Sequence, residues 1–374
     1  MEGKVIIEYK GFKAKLTSDT NDSITSLLDN TILGIKGGMR YTLRGIARRI
    51  SAYNNIRFIT LYMGTRIAGT IGLCYRGIWT GHKAYHSSYL RYLSFLPGFQ
   101  AALDARGLDK SRHRKRDTDS FKSKVLTFFS KPQMLDFPGY EKDDKHVMYA
   151  YIESKNERSK NLIHQFGFEH IRTFLTVAFS RFSPKADPGV SPIEEKDKGR
   201  MTDLLKDYYD NYSFYTDEFV FHDNRYYVMK EGDEIIAGIS AIPSSYTIVN
   251  MPGVWGWVFM NVLPFIPYYR RLFQPGEFNF LSLGMIYCKK GREKVLETLM
   301  GSVCATEGFN TGLTWVDDRS DLYDMLRGDI KMGVINRMLN AKPGLVYANF
   351  INFTDEEKDI FYESPAFISG FDFT

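Results

Sequence analysis

The residues best suited to chemistry lie in a short basic loop, Cys288-Lys289-Lys290-Gly291-Arg292-Glu293-Lys294, which follows an apolar run ending at Tyr287. The run reads as a strand, and beyond the loop Val295, Leu296, Leu299, Met300 and Val303 recur at helical spacing. A helix N-terminus offers free backbone N–H groups and the positive end of its dipole, which suit a pyrophosphate. Gly291 would let the backbone approach such a group without a side chain in the way, with Lys290 and Arg292 supplying charge. Glu293 works against this because its carboxylate repels phosphate, so a solvated basic helix start is the competing reading.

Three other stretches carry candidate side chains. Arg106 to Arg116 is arginine-rich, which suits an arm folded over phosphates, a nucleic-acid contact, or a plain charged surface loop. No aromatic residue interleaves with those charges, which counts against single-strand binding. His82 and His86 have metal-ligand spacing for a helix but no third ligand, so no metal is expected. Ser244 to Tyr269 contains no charge and is broken by Pro252, Pro264 and Pro267, too short an apolar run to span a bilayer. Its Trp255, Trp257 and Phe259 would either cover an acceptor pocket or pack between two parts of the chain.

The elements that must position these groups are clearest around Tyr149 to Arg172. Val147 to Ile152 reads as a strand, a helix capped near Ser154 or Asn156 follows, and Ile171 to Phe179 reads as a second strand. Leu162, Ile163 and Phe166 share one helical face, and Gly167 supplies the left-handed residue that lets the chain reverse.

At 374 residues the chain is long for one domain, and 44% hydrophobic residues suffice for two cores. A net charge of +5 is too mild to argue for nucleic acid by itself. Three scattered cysteines point to reduced thiols and a cytoplasmic setting, and the N-terminus shows no apolar signal region. Ser183 to Lys198, rich in proline and charge, reads as a linker. On either side the same elements recur. The Gly64 and Gly232 hairpins match, with Gly69 facing Gly238; Leu93-Ser94 faces Leu281-Ser282; Lys124-Val-Leu126 faces Lys294-Val-Leu296. Phe121, Val125, Leu126 and Phe129 form the first helical stripe, and the one after Lys294 is its counterpart. The first half carries an insertion at Pro97 to Asp117, and the second at Tyr246 to Pro275.

Hairpin, strand, helix, strand, helix, met twice, together with the Asn156 to Phe168 run, resembles the GNAT superfamily of acyl-CoA-dependent N-acyltransferases. The resemblance implies two tandem α/β domains, 1–182 and 199–374, each a mixed sheet with helices on both faces. It implies acyl-CoA as co-substrate, no metal, and direct transfer of an acyl group, expected to be acetyl, to the primary amine of a small molecule or peptide. The helix opened by Asn156 would lie beside the pantetheine arm. Met285 and Tyr287 on the central strand, with Lys290, Gly291 and Arg292, would complete cofactor binding. Cys288 and Glu293 depart from the phosphate-loop pattern of the family. Glu277 is the implied general base and Tyr323 the thiolate acid, since Ile163 stands at the first-half position for that tyrosine. Trp255, Trp257 and Phe259 would bound the acceptor site. Two alternatives share this scaffold: a non-catalytic ligand- or partner-binding protein, and a tRNA-dependent aminoacyl transferase using the arginine-rich arm.

Overall fold

Long runs of β-branched and aromatic residues in alternation give this chain its strands, and one continuous sheet gathers them. The computed structural model describes residues 3–9, 11–18, 20–35, 37–96, 127–338 and 342–374. The first half contains β1 (Lys4–Tyr9), β2 (Phe12–Thr17), α1 (Asp22–Asp29), β3 (Arg40–Leu43), α2 (Ile46–Ser51), β4 (Ile56–Met63), β5 (Arg66–Thr80), β6 (Lys83–Phe95), β7 (His146–Glu153), α3 (Glu157–His164) and β8 (Glu169–Ser180). In the second half come β9 (Val190–Pro192), α4 (Glu195–Tyr208), β10 (Tyr226–Glu231), β11 (Glu234–Asn250), α5 (Gly253–Asn261), α6 (Pro267–Arg270) and β12 (Phe278–Cys288). It closes with α7 (Val295–Glu307), β13 (Thr311–Asp317), α8 (Asp321–Gly328), α9 (Val334–Met338), β14 (Gly344–Ile351) and α10 (Asp355–Glu363).

The strand order is β1-β2-β4-β5-β6-β7-β14-β8-β13-β12-β11-β10-β9, with β3 laid against β11. This differs from the two separate sheets expected from the repeat. The reason lies at the centre, where β14 of the second half pairs with β7 of the first, and β8 of the first pairs with β13 of the second. The exchanged strands β8 and β14 also pair with each other, so neither half keeps an open edge there. Parallel pairs occur only at β6–β7 and β12–β13 among the described residues, one in each half. The stretch read as a linker holds the edge strand β9 and the start of α4.

The repeat aligns differently from its sequence reading. Thr70 opposes Ser94 in the first half, as Gly238 opposes Tyr287 in the second, so Gly69 matches Ala237 rather than Gly238. On the same ladders Leu93 matches Ile286, not Leu281. Short Leu-Ser pairs aligned by identity missed the bulge that each central strand carries.

Local readings around α3 hold. Asn156 caps the helix by accepting from the Ser159 N–H, and Gly167 sits at φ 81°. The α7 stripe is buried, with Leu296, Leu299, Met300 and Val303 inaccessible in a core shared with β10, β11 and β13. In the first-half stripe, Phe129 is buried and stacks on Phe166. Phe121, Val125, Leu126, the Pro97 to Asp117 insertion and the arginine-rich arm lie outside the described residues. Cys74, Cys288 and Cys304 are free and buried.

Candidate active site

Each parallel pair of strands comes apart part-way along. β6 and β7 keep register from His86–His146 to Leu90–Ala150 and then diverge. β12 and β13 are in register only at Leu281–Gly312 and Ser282–Leu313. Just past each divergence the central strand bulges, with Tyr92 at φ 58° and Met285 at φ 47°. Two residues there oppose one on the neighbouring strand, Tyr92 and Leu93 facing Ile71, and Met285 and Ile286 facing Ile239. A left-handed residue at such a place re-aims the strand and takes backbone groups out of the ladder.

The two wedges have different fates. In the first half the wedge opens into a cavity of about 780 Å³. Leu93 and Ser94 bound it on the β6 side, Ala150 to Glu153 on the β7 side, and Leu162 of α3 with Asn156 and Phe166 from its two flanks. The second half supplies the opposite wall through Tyr246, Trp255, Phe259 and Trp315, and Phe373 reaches in from the far end of the chain. Phe373 stacks on Trp315 with centroids 4.4 Å apart and on Tyr151 at 5.3 Å. In the second half only about 20 Å³ remains at the wedge. There Tyr209 donates to the Ile286 carbonyl at 2.7 Å, Tyr226 donates to the Met285 carbonyl at 3.0 Å, and Ser282 donates to the Gly370 carbonyl at 2.8 Å. The chain fills that wedge with its own tyrosines and its 370–373 turn.

Two carboxylates line the open cavity among the described residues. Asp372 is bound by Arg76 through two nitrogens and accepts from the Tyr53 hydroxyl. Glu153, at the end of β7, has no ion pair or side-chain hydrogen bond among the described residues, and burial pushes its pKa up. The Tyr41 hydroxyl is likewise pushed up to about 12, by burial first and the nearby Glu153 second. Arg91, also on the cavity wall, donates to the Tyr53 hydroxyl and to the Thr374 carbonyl. Arg76 and Arg91 thus pin the 371–374 segment against the wedge.

No family profile matches the chain, and no curated protein matches it in sequence. Solved structures do match in shape. Saccharomyces cerevisiae N-myristoyltransferase with bound myristoyl-CoA superposes with a TM-score of 0.57 at 11% identity, over 93% of this chain and 85% of that one. Another crystal structure of that enzyme with bound myristoyl-CoA gives 0.55 at 11% identity, over 93% and 81%. The chain has the fold of N-myristoyltransferase.

Within this fold the residues singled out from sequence fall into three groups. Asn156, Trp255 and Phe259 line the open cavity together. Trp257, on the same helix as Trp255, is not part of the lining and is 60% exposed. Lys290, Gly291 and Arg292 form a surface loop far along β12 from the cavity wall, where the Glu293 carboxylate accepts the Gly291 N–H at 2.7 Å and Arg292 pairs with Glu231. Met285 and Tyr287 are buried with the tyrosines that plug the second wedge. Glu277 makes an exposed ion pair with Arg44 at 3.4 Å, and Tyr323 packs on the β12–α7 core; neither lines the cavity. His82 and His86 sit on the β5–β6 hairpin, the first at its turn beside Asp210 and the second accepting or donating at Tyr75. Groups of three or more potential metal ligands are absent among the described residues.

Sequence reasoning passed over Arg76, Arg91, Glu153 and Asp372. A signal existed for two of them, because Arg76 and Arg91 interrupt otherwise apolar strand runs, and a charge inside such a run needs a buried partner. Asp372 gave none, being distant in sequence from both.

Proposed function

We propose that this protein is an acyl-CoA-dependent N-acyltransferase whose acyl donor occupies the first-half wedge. The observation that carries the reading is the divergence of β6 from β7 directly beside the Tyr92–Leu93 bulge, opening into the large cavity. A pantetheine arm is narrow and extended and can take the place of a missing strand between β6 and β7. The thioester carbonyl would then face the backbone N–H groups freed by the bulge, which stabilise charge developing on its oxygen.

In the reaction the amine nitrogen forms a bond to the carbonyl carbon, and the carbon–sulfur bond breaks. The amine must lose a proton. Of the two carboxylates on the wall, Asp372 is engaged by Arg76, whereas Glu153 makes no ion pair among the described residues and burial outweighs the opposing pull of the nearby Lys342 and Lys155. Burial raises its proton affinity towards that of a useful base, so Glu153 is assigned the proton acceptor. The leaving CoA thiolate takes up a proton from solvent at the mouth.

A cavity of about 780 Å³ walled by Leu162, Phe166, Phe259 and Trp315 exceeds what an acetyl group fills. A longer acyl chain is the reading it favours over the acetyl group expected from sequence. Thermal shift with acetyl-, octanoyl- and myristoyl-CoA tests this: saturable stabilisation should grow with chain length. Stabilisation by none of the three would remove the acyl-CoA site, and equal stabilisation by all would confine recognition to the CoA moiety. Glu153→Gln should lower turnover on an amine acceptor while leaving acyl-CoA stabilisation intact.

A further inference from the structure

The second-half insertion presents an apolar surface that runs outward from the cavity mouth at Val254 and Trp255 to Trp257, Phe265, Ile266 and Tyr268, which lie outside the cavity lining. In α5, Gly256 and Phe259 face inward, and the remaining arc of the helix carries Val254, Trp255, Trp257 and Asn261 outward. Val254 is 79% exposed, Trp257 60% and, just beyond, Phe265 82%. Ile266 and Tyr268 continue the patch. Large apolar side chains exposed side by side on a folded protein mark an interaction site. The helix is seated firmly enough to present them: a Cβ at Gly256 would lie 2.4 Å from the Met251 carbonyl oxygen, so only glycine allows this close approach. Tyr268 is held by stacking on Phe182, with centroids 3.9 Å apart.

The insertion that carries the patch has charge of one sign. No Asp or Glu occurs from Ser244 to Gly276, and the charges in that stretch are Arg270 and Arg271, both exposed at the end of α6. Across the β3–β11 ladder, Arg40 sits opposite Asn250 at the root of α5. An uncharged, tryptophan-bearing helix bordered by arginines matches the chemistry of an anionic bilayer surface: indole rings prefer the interfacial zone and arginines meet lipid phosphates. A protein partner would not require this one-sided charge. The described helices include none long and apolar enough to cross a membrane.

We propose that α5 and α6 dock the protein on the surface of an anionic lipid bilayer, with the cavity mouth at Val254 and Trp255 turned towards the lipid. The docking goes beyond the acyltransferase reading and holds or fails independently of it.

The test uses the full chain with phosphatidylcholine vesicles, with and without phosphatidylserine, in flotation assays. The protein should float with the phosphatidylserine vesicles at low salt and be released as salt is raised. Trp257→Ser combined with Phe265→Ser should cut partitioning by about tenfold or more. Arg270→Ser with Arg271→Ser should cut it about fivefold per arginine. Both pairs are on the surface and outside the cavity lining, so melting curves and acyl-CoA stabilisation should be retained. As a readout needing no variant, brominated lipid should quench the wild-type tryptophan fluorescence. Absence of flotation and quenching at low salt would overturn the proposal, as would wild-type partitioning by the Trp257/Phe265 variant. A concentration-dependent dimer that the same variant abolishes would overturn it too, by assigning the patch to a second copy of the chain.

Discussion

Arg76 on β5 and Asp372 near the end of the chain form a two-nitrogen ion pair inside the protein, with Nη1 3.1 Å from Oδ1 and Nη2 2.5 Å from Oδ2. Both residues are under 5% exposed, and Tyr149 and Tyr53 contribute their hydroxyls to the same cluster. Removing one partner leaves a buried charge uncompensated, at a cost of about 3–5 kcal/mol. Arg76→Met should therefore lower the urea midpoint steeply, and Arg76→Met with Asp372→Leu should recover part of the loss. Since Asp372 precedes Phe373, the single variant should also alter the fluorescence of Trp315, on which Phe373 stacks.

Glu218 makes stability depend on pH in the direction opposite to most carboxylates. Burial raises its pKa from 4.5 to about 7, against the opposing pull of Arg76. The folded state thus holds this proton more tightly than the unfolded chain. The stabilisation is complete below about 4.5 and is lost as pH rises through about 7, up to about 3 kcal/mol in all. Glu218→Gln should flatten the melting-temperature profile over that interval. His146 acts on the acid side: burial, and then His86, lower its pKa from 6.5 to about 3. Its contribution is present above 6.5 and declines as pH falls towards about 3, so acid melts should steepen below neutrality and His146→Gln should relieve this.

Asn156 links helix stability to the site. Its side chain accepts the Ser159 N–H at 3.0 Å, and the same residue bounds the cavity. Asn156→Ala should cost about 1 kcal/mol through loss of the cap. The helix start would fray where the donor is proposed to lie, so acyl-CoA affinity should fall by more than the change in melting temperature alone conveys. Titration calorimetry on the folded variant checks this.

Two substitutions distinguish the halves as the acyl-CoA site. Leu162→Trp adds bulk to the first-half cavity and should weaken acyl-CoA binding by about tenfold or more. Gly291→Asp sits at φ 82° on the surface loop of the second half, where a side chain costs about 1 kcal/mol of strain. It should lower the melting temperature slightly and leave acyl-CoA affinity unchanged. The reverse pattern would move the donor to the helix start after Gly291.

Much of the element order was readable because it rests on local physics. The Asn156 cap, the Gly167 reversal and the α7 stripe follow from backbone preference and periodicity, and each stands where its residues predict. The insertion before β12 was likewise visible as an uncharged stretch, and Trp255 and Phe259 do reach the cavity. Glu277 and Tyr323 illustrate the opposite case. Their roles depend on which half holds the site, a long-range outcome, and the structure places Glu277 in an exposed ion pair and Tyr323 on the α7 core, both outside the lining of the open cavity.

The sequence by itself determined a twice-repeated α/β plan, since alternation, helical stripes and turn residues act within a few positions of each other. Tertiary structure alone decided that β8 and β14 exchange between halves and fuse the sheet. It also decided which wedge stays open. Tyr209, Tyr226 and Gly370 close the second, while Arg76 and Arg91 hold the 371–374 segment at the wall of the first. These contacts join residues dozens to hundreds of positions apart, and buried partners at such separations leave no periodic trace in the chain.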